Sequence, residues 1–402
     1  MIKVLIIIYK IEGQKGSEDA SGYDIAKGLI EKNVNLEIIT RANNAQKLNI
    51  DPIFKNTVIH SVDVPKVFSF YKKKSRGIIL YYYLWQYYVG RYIKKINANS
   101  SFDIIHQLNF HTDWAPHFIP KGNAKIVWGP IMHHEKVPIA FIKNDMLKQF
   151  IGELIKVVFK KYFWCIDPFL KISIQNSNQI IYANKNYAPR FKILQNKLVH
   201  IPLGGVGEKF DCKASLKESF NVMSVGRIVS LKGFNLTLDS FIKFSSKYNF
   251  KNCHLTIIGD GPLLKHLQSQ VEELPQSNNI TFIKWIERYE LIKYYQLADI
   301  FLYPSFESQG LVVSEAMGCE TPTITLENTG PHFLSGNTGW AIKRGSYDDT
   351  TDAIVDALHE AYHEKGSEKA LGRMTLVKNR FLETLCSEAV VKNIYNVYKG
   401  VK

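Results

Sequence analysis

The sequence predicts an α/β protein of two Rossmann-like domains, each a parallel sheet flanked by helices. Two observations carry that reading. Short β-branched runs alternate with helix-period patterns almost from end to end, and the alternation breaks once, at the turn-rich stretch VHIPLGGVGEKF that begins at Val199. The chain has 402 residues, of which 46% are hydrophobic and 22% charged. That composition supports large cores and excludes a disordered chain.

The elements follow in order. MIKVLIIIYK is apolar over a strand's length, acidic and glycine-rich sequence follows at once, and no small-residue cleavage site appears. It reads as a first β-strand rather than a secretion signal. A helix is expected around Ser21 to Lys32, then strands at NLEIIT, FDIIHQL, AKIVWG and NQIIYAN, giving a first domain of residues 1–200. After Pro202, Gly204, Gly205 and Gly207 the pattern restarts with FNVMSVG, HLTIIGDG, NITFIKW, DIFLYPS and TPTITL, the strands of a second domain of residues 201–380. From Asp352 to Lys402 the pattern is helical, with Phe381, Leu385, Ala389, Val390, Ile394 and Val397 at helix spacing. Residues 381–402 are expected as a separate C-terminal helix.

Five cysteines, Cys165, Cys212, Cys253, Cys319 and Cys386, are scattered without CxxC spacing. An odd count without a framework fits a reducing compartment, so a cytoplasmic location is expected and a zinc site is not. No apolar run approaches the roughly 20 residues needed to span a bilayer.

The net charge of +14 calls for an anionic partner. Between Pro65 and Phe102 stand Lys66, Lys72, Lys73, Lys74, Arg76, Arg91, Lys94 and Lys95 with no acid among them, interleaved with aromatics. Ile78, Tyr81, Tyr82, Trp85, Val89 and Tyr92 make one apolar helix face suited to packing on a sheet, whereas FSFYKKKSR before it is harder to bury. A second mixture of lysines and aromatics, MLKQFIGELIKVVFKKYFWC, runs from Met146 to Cys165. Segments 66–99 and 146–165 suit an anionic membrane surface, with lysines snorkelling past apolar side chains. Nucleic acid is the rival reading from charge alone and is not expected as the partner.

Three stretches of the second domain carry chemistry. In SVGRIVSLKG a strand ends in Gly226 and Arg227, and Lys232 follows at the start of a helix. Two cations beside free backbone N–H groups and a helix dipole favour a diphosphate. HLTIIGDGPLLKHL repeats strand, glycine turn (Gly259, Gly261) and helix, a geometry that admits a ligand to the carboxyl edge of a sheet. In FESQGLVVSEAM, Glu307 lies in a loop and Glu315 a turn or more into a helix starting near Gly310. Carboxylates accept paired bonds from vicinal hydroxyls, so the two suit a ligand with two sugars, one of them a ribose.

SVGRIVSLKG, TIIGDGP and the E-x7-E arrangement of Glu307 and Glu315 followed by AMGCETP resemble the nucleotide-sugar-binding half of the GT-B-fold retaining glycosyltransferases of glycosyltransferase family 4. The resemblance implies two domains facing a cleft, with the C-terminal helix packing back on the first. It implies that Arg227 and Lys232 hold the donor diphosphate, that Glu315 holds the ribose hydroxyls, and that Glu307 faces the transferred sugar. Backbone at Gly259, Gly310 and Leu311 would meet the donor. In the first domain, which the resemblance makes the acceptor half, Gly16 matches a turn near the diphosphate. DIIHQLNFHTDW resembles a strand ending in a catalytic histidine, His106 by the closer match and His111 by the alternative. In VWGPIMHHEKVP, Met132, His133 and His134 replace expected glycines, and the adjacent His-His-Glu lacks the spacing of a helical metal site.

The expected activity is transfer of a sugar, with retention, from a UDP- or GDP-sugar to a glycan or lipid-linked glycan of a bacterial cell-surface polysaccharide such as capsule, O-antigen or exopolysaccharide. No metal and no cofactor are expected, since Arg227 and Lys232 supply the positive charge. A nucleotide-sugar epimerase on the same fold, or a non-catalytic partner subunit, are the alternatives.

Overall fold

The computed structural model describes residues 2–13, 17–68, 77–133, 137–138, 141, 158–192, 194–203, 219–248, 252–272, 274–275 and 277–402. Gly16, most of the basic run at 69–76, and residues 146–157 of the second lysine-aromatic stretch lie outside the described residues.

The chain divides into two compact units, one of residues 1–133, 152–205 and 387–402 and one of residues 134–151 and 206–386. The first holds a sheet of order β3-β2-β1-β4-β5-β6-β7, with β1 Lys3–Ile8, β2 Asn35–Thr40, β3 Val58–Ser61, β4 Ile104–Asn109, β5 Lys125–Ile131, β6 Gln179–Tyr182 and β7 Leu198–His200. Every pairing in it is parallel. β1 is buried almost throughout because helices cover both faces of a parallel sheet. The Ile78–Lys95 helix buries Tyr81, Tyr82, Trp85, Val89 and Ile93, so its expected apolar face does meet the core.

The second unit holds a parallel sheet of order β10-β9-β8-β11-β12-β13, with β8 Phe220–Val225, β9 Cys253–Ile258, β10 Ile280–Ile283, β11 Ile300–Tyr303, β12 Thr323–Leu326 and β13 Trp340–Ile342. β8 and β11 are neighbours, but the connections leaving them run to opposite flanks of the sheet. Such a reversal opens a crevice at the strands' carboxyl ends, where open α/β sheets bind ligands. Phe141, from the 134–151 segment, joins this unit's core against Phe306 and Tyr347.

The C-terminal region differs in its bounds from the single helix expected at 381–402. Phe381 and Leu385 fill the second unit's core in a π-turn, and a new helix, Ser387–Val401, starts after Cys386. Val390, Val391, Ile394 and Tyr398 of that helix complete the first unit's core. Gly28 lies so close to Val391 that a Cβ there would collide with its side chain. Among the described residues no helix is long and apolar enough to cross a membrane.

Candidate active site

The site is assembled by two turns that leave β8 and β11 side by side. After Gly226 and Arg227 the chain makes a short 3-10 turn, Ser230–Lys232, and enters the Phe234–Tyr248 helix through Gly233. Gly233 has φ +72°, and a Cβ there would run into the Pro304 carbonyl of the second turn. The two turns are also hydrogen-bonded: Phe306 N donates to Leu231 O at 2.9 Å, and Ser305 Oγ donates to the same oxygen at 3.2 Å. On the other side Gly330 N donates to Glu307 O at 2.7 Å. Glu307 is thereby fixed at both flanks.

That scaffold brings Lys232 onto Glu307. Lys232 Nζ lies 2.8 Å from Glu307 Oε1 and 2.9 Å from Oε2, and donates to the Tyr303 hydroxyl at 2.8 Å. Tyr303 in turn donates to Glu307 Oε2 at 2.7 Å. Its burial, and the Glu307 carboxylate beside it, push the Tyr303 pKa well above the ordinary value. The phenol therefore stays protonated and works as a fixed donor. The Lys232 and Glu307 side chains remain 17% and 21% exposed, so a ligand can reach both. Tyr303 was not singled out in the sequence, where it reads as one more aromatic of a buried strand. Its signal was its place as the last strand residue before Pro304 and the acidic loop.

Arg227 is exposed at the end of β8 and, among the described residues, its guanidinium has no partner. Gly259, at the end of β9, has φ +148° and sits against Gly226, so that a Cβ would collide with the Gly226 carbonyl oxygen. The Leu311–Gly318 helix starts at Gly310 with no side chain capping it. Its first backbone N–H groups are thus open to an anion. Glu315 is half-buried one turn further, where Oε2 accepts from the Tyr295 hydroxyl at 3.2 Å. Burial and the Glu315 carboxylate raise the Tyr295 pKa, as burial and Glu307 raise that of Tyr303. Ser314 Oγ and Gln309 Nε2 are buried near this helix start and have no partner among the described residues.

Arg227, Lys232, Gly259, Glu307, Gly310, Leu311 and Glu315 thus lie in one unit, at or just beyond the carboxyl ends of its strands, and Lys232 and Glu307 touch. His106 is different. The expectation placed it at a strand end as a catalytic group, but β4 continues to Asn109 and His106 is fully buried inside it. Nε2 lies 2.6 Å from Gly129 O and Nδ1 2.5 Å from the Tyr398 hydroxyl. Desolvation lowers its pKa to about 4. A neutral ring with both nitrogens engaged fastens the C-terminal helix to the sheet rather than moving a substrate proton. His111, the alternative, is also buried, with Nδ1 2.6 Å from Pro130 O and Nε2 without a partner among the described residues.

The first unit holds a second polar cluster that sequence reasoning missed. Asp113, fully buried, accepts from His133 Nδ1 at 2.8 Å, Trp164 Nε1 at 2.8 Å and Tyr182 OH at 3.1 Å. Three donors satisfy a carboxylate that burial would otherwise penalise. Among the described residues no three His, Cys, Asp or Glu side chains are grouped to hold a metal ion.

Residues 208–372, which hold this strand-end site, match the family model described as glycosyl transferases group 1. The chain is 23% identical over 364 residues to a D-inositol 3-phosphate glycosyltransferase of Pseudarthrobacter chlorophenolicus, covering 85% of this chain and 83% of that one. It superposes on the Anabaena protein HepE, crystallised with UDP, with a TM-score of 0.62 at 14% identity over the full length of both. It also superposes on WaaG, a glycosyltransferase involved in lipopolysaccharide biosynthesis, with a TM-score of 0.60 at 14% identity, covering 99% of this chain and 100% of that one.

Proposed function

We propose that this glycosyltransferase of GT-B fold transfers a sugar, with retention at the anomeric carbon, from a UDP- or GDP-sugar to a hydroxyl of a glycan or lipid-linked glycan. The observation that carries the reading is the Lys232, Tyr303 and Glu307 cluster at the adjoining ends of β8 and β11, with Arg227 exposed beside it. Arg227, Lys232 and the open first turn at Gly310 and Leu311 supply positive potential for a donor diphosphate. As the bond from the anomeric carbon to the phosphate oxygen breaks, negative charge grows on the leaving group, and fixed donors stabilise that change most. No divalent cation is needed for this role.

In this reading Glu307, held by Lys232 and Tyr303, accepts from hydroxyls of the transferred sugar, while Glu315 accepts from the ribose. The acceptor oxygen attacks from the face the phosphate leaves, and its proton passes to the departing phosphate oxygen. Assignment to a cell-surface polysaccharide is supported by the likeness to WaaG, and the choice of a UDP donor by the likeness to HepE.

Thermal melts with UDP, GDP and a panel of their sugars, followed by donor hydrolysis, test the proposal. One nucleotide should raise the melting temperature in wild type and lose most of that effect in Arg227→Ala and Lys232→Ala. Hydrolysis should persist in EDTA. If neither nucleotide shifts the melt of wild type, the reading is wrong; interconversion of UDP-sugars without transfer would make the protein an epimerase.

A further inference from the structure

Three neighbouring strands of the first unit, β4, β5 and β6, end around one buried carboxylate. Asp113 follows β4, His133 follows β5, and Tyr182 is the last residue of β6, while Thr112 and Met132 bridge in parallel just before the first two. Trp164 reaches the group from helix 158–165. The carboxyl ends of strands are where open α/β sheets take ligands. Trp164 and Tyr182 already bond one oxygen each of Asp113, so a purely structural staple is complete without a third donor. His133 adds that donor, and its side chain is 18% exposed where Asp113 is fully buried.

A carboxylate only accepts, so the Nδ1 that faces Asp113 at 2.8 Å carries the proton of that bond, and Nε2 of the neutral ring keeps its lone pair on the far side. Among the described residues that Nε2 has no partner. The ring is held in place: its centre lies 4.5 Å from that of the Trp164 ring, and Asn184 Nδ2 donates to the His133 carbonyl at 3.3 Å. An acceptor fixed in advance loses little conformational freedom when it binds. His111 and Thr112, just before Asp113, add two more such atoms. His111 Nδ1 is engaged by Pro130 O, whereas His111 Nε2 and Thr112 Oγ1 are buried without partners among the described residues. Buried polar atoms left in that state are costly, and a ligand that donates relieves the cost.

We propose that His133, aligned by Asp113, accepts a hydrogen bond from a hydroxyl of the acceptor sugar and so helps select the sugar that is extended. The choice of ligand rests on the transfer reading of the donor site. A ring lone pair in front and a carboxylate behind repel an anion, and no cation belongs to the cluster, so a neutral ligand rich in hydroxyls fits it and a phosphate does not. The partly exposed Trp164 ring adds apolar surface against which the C–H edge of a pyranose can pack. His133 also stands where the family resemblance calls for glycine, so this contact is a departure of this chain and not a shared device. Its part is selection, with Asp113 as the positioning residue. The attacking hydroxyl keeps the proton route already given.

Nuclear magnetic resonance of the full chain, labelled with nitrogen-15 at histidine, tests it with methyl glycosides of glucose, galactose, mannose and N-acetylglucosamine and their single-deoxy analogues as probes. The His133 signals are those missing from His133→Gln. Wild type should carry the ring proton on Nδ1, and at least one glycoside should move the Nε2 resonance. His133→Leu should bind that glycoside about fivefold more weakly, the worth of one neutral hydrogen bond. His133→Gln, whose carbonyl can stand near the place of Nε2, should recover part of the loss. One deoxy analogue should bind wild type about fivefold more weakly than its parent, yet bind His133→Leu as well as the parent does, because hydroxyl and ring are lost as one contact. A merely structural histidine would not erase that difference. A ring proton on Nε2, a resonance that no glycoside moves, or a deoxy effect that survives in His133→Leu overturns the inference. Melts with UDP and GDP on the same samples keep the two readings apart: a normal nucleotide shift beside any of these results overturns the acceptor contact alone.

Discussion

Removing one oxygen atom, by Tyr303→Phe, probes whether the strand-end cluster works as a unit. The hydroxyl accepts from Lys232 at 2.8 Å and donates to Glu307 at 2.7 Å, and bonds of this kind to charged groups contribute about 1.5–3 kcal/mol each. The variant leaves Lys232 and Glu307 in direct contact, and their partial exposure lets water replace some of what is lost. A net loss of about 2 kcal/mol follows, below the sum of the two bonds because water makes up part of it. If the cluster orients the sugar in the transition state, that loss is a fall in kcat/KM of about 30-fold. The second unit should also melt about 4–8 °C lower. Combining Tyr303→Phe with Glu307→Gln should reveal a coupling of about 1 kcal/mol, because both variants remove the same bond. A kcat/KM within about twofold of wild type, with an unchanged melt, would refute the reasoning and leave Tyr303 as core filler.

Two further outcomes follow from the backbone and the buried histidines. Gly259→Ala forces a Cβ against the Gly226 carbonyl at φ +148° and should cost about 1–3 kcal/mol, read as a lower urea midpoint. Burial holds His106 at about 4 and His117 at about 3, below the ordinary 6.5, so both stay neutral when folded and bind protons first when unfolded. Stability is therefore present above pH 6.5 and is lost as pH falls, by about 1.4 kcal/mol per pH unit for each ring until its folded value is reached. Between pH 7 and pH 5, His117→Gln should remove about 2 kcal/mol of the wild-type loss in chemical denaturation; an identical pH dependence in the variant would contradict this.

The buried strands were legible because their runs of β-branched residues have no other stable use. β3, β7 and β13 were not, since each lies at a sheet edge, spans three or four residues and needs less apolar sequence. β7 was hidden inside the stretch read as a break. Arg227, Lys232, Glu307 and Glu315 stood out by residue type and spacing. The contact between Lys232 and Glu307 did not, because it depends on the parallel neighbours β8 and β11, which 75 residues separate in sequence. His106 misled for a related reason: the strand's polar residues, His106 and Gln107, look like its end, yet the backbone ladder with β1 runs on to Asn109 and that with β5 reaches Gln107.

The position of the Ser387–Val401 helix also bears on how the molecule is made. The first unit is encoded in pieces that open and close the chain, with most of the second unit inserted between them. As the chain leaves the ribosome, Val4, Ile6, Ile25 and Leu29 are in place long before Val390, Ile394 and Tyr398 exist to cover them. The domain that is synthesised first is therefore completed last. Until then its incomplete core is a surface for chaperones to hold, and the inserted domain can fold while its host waits.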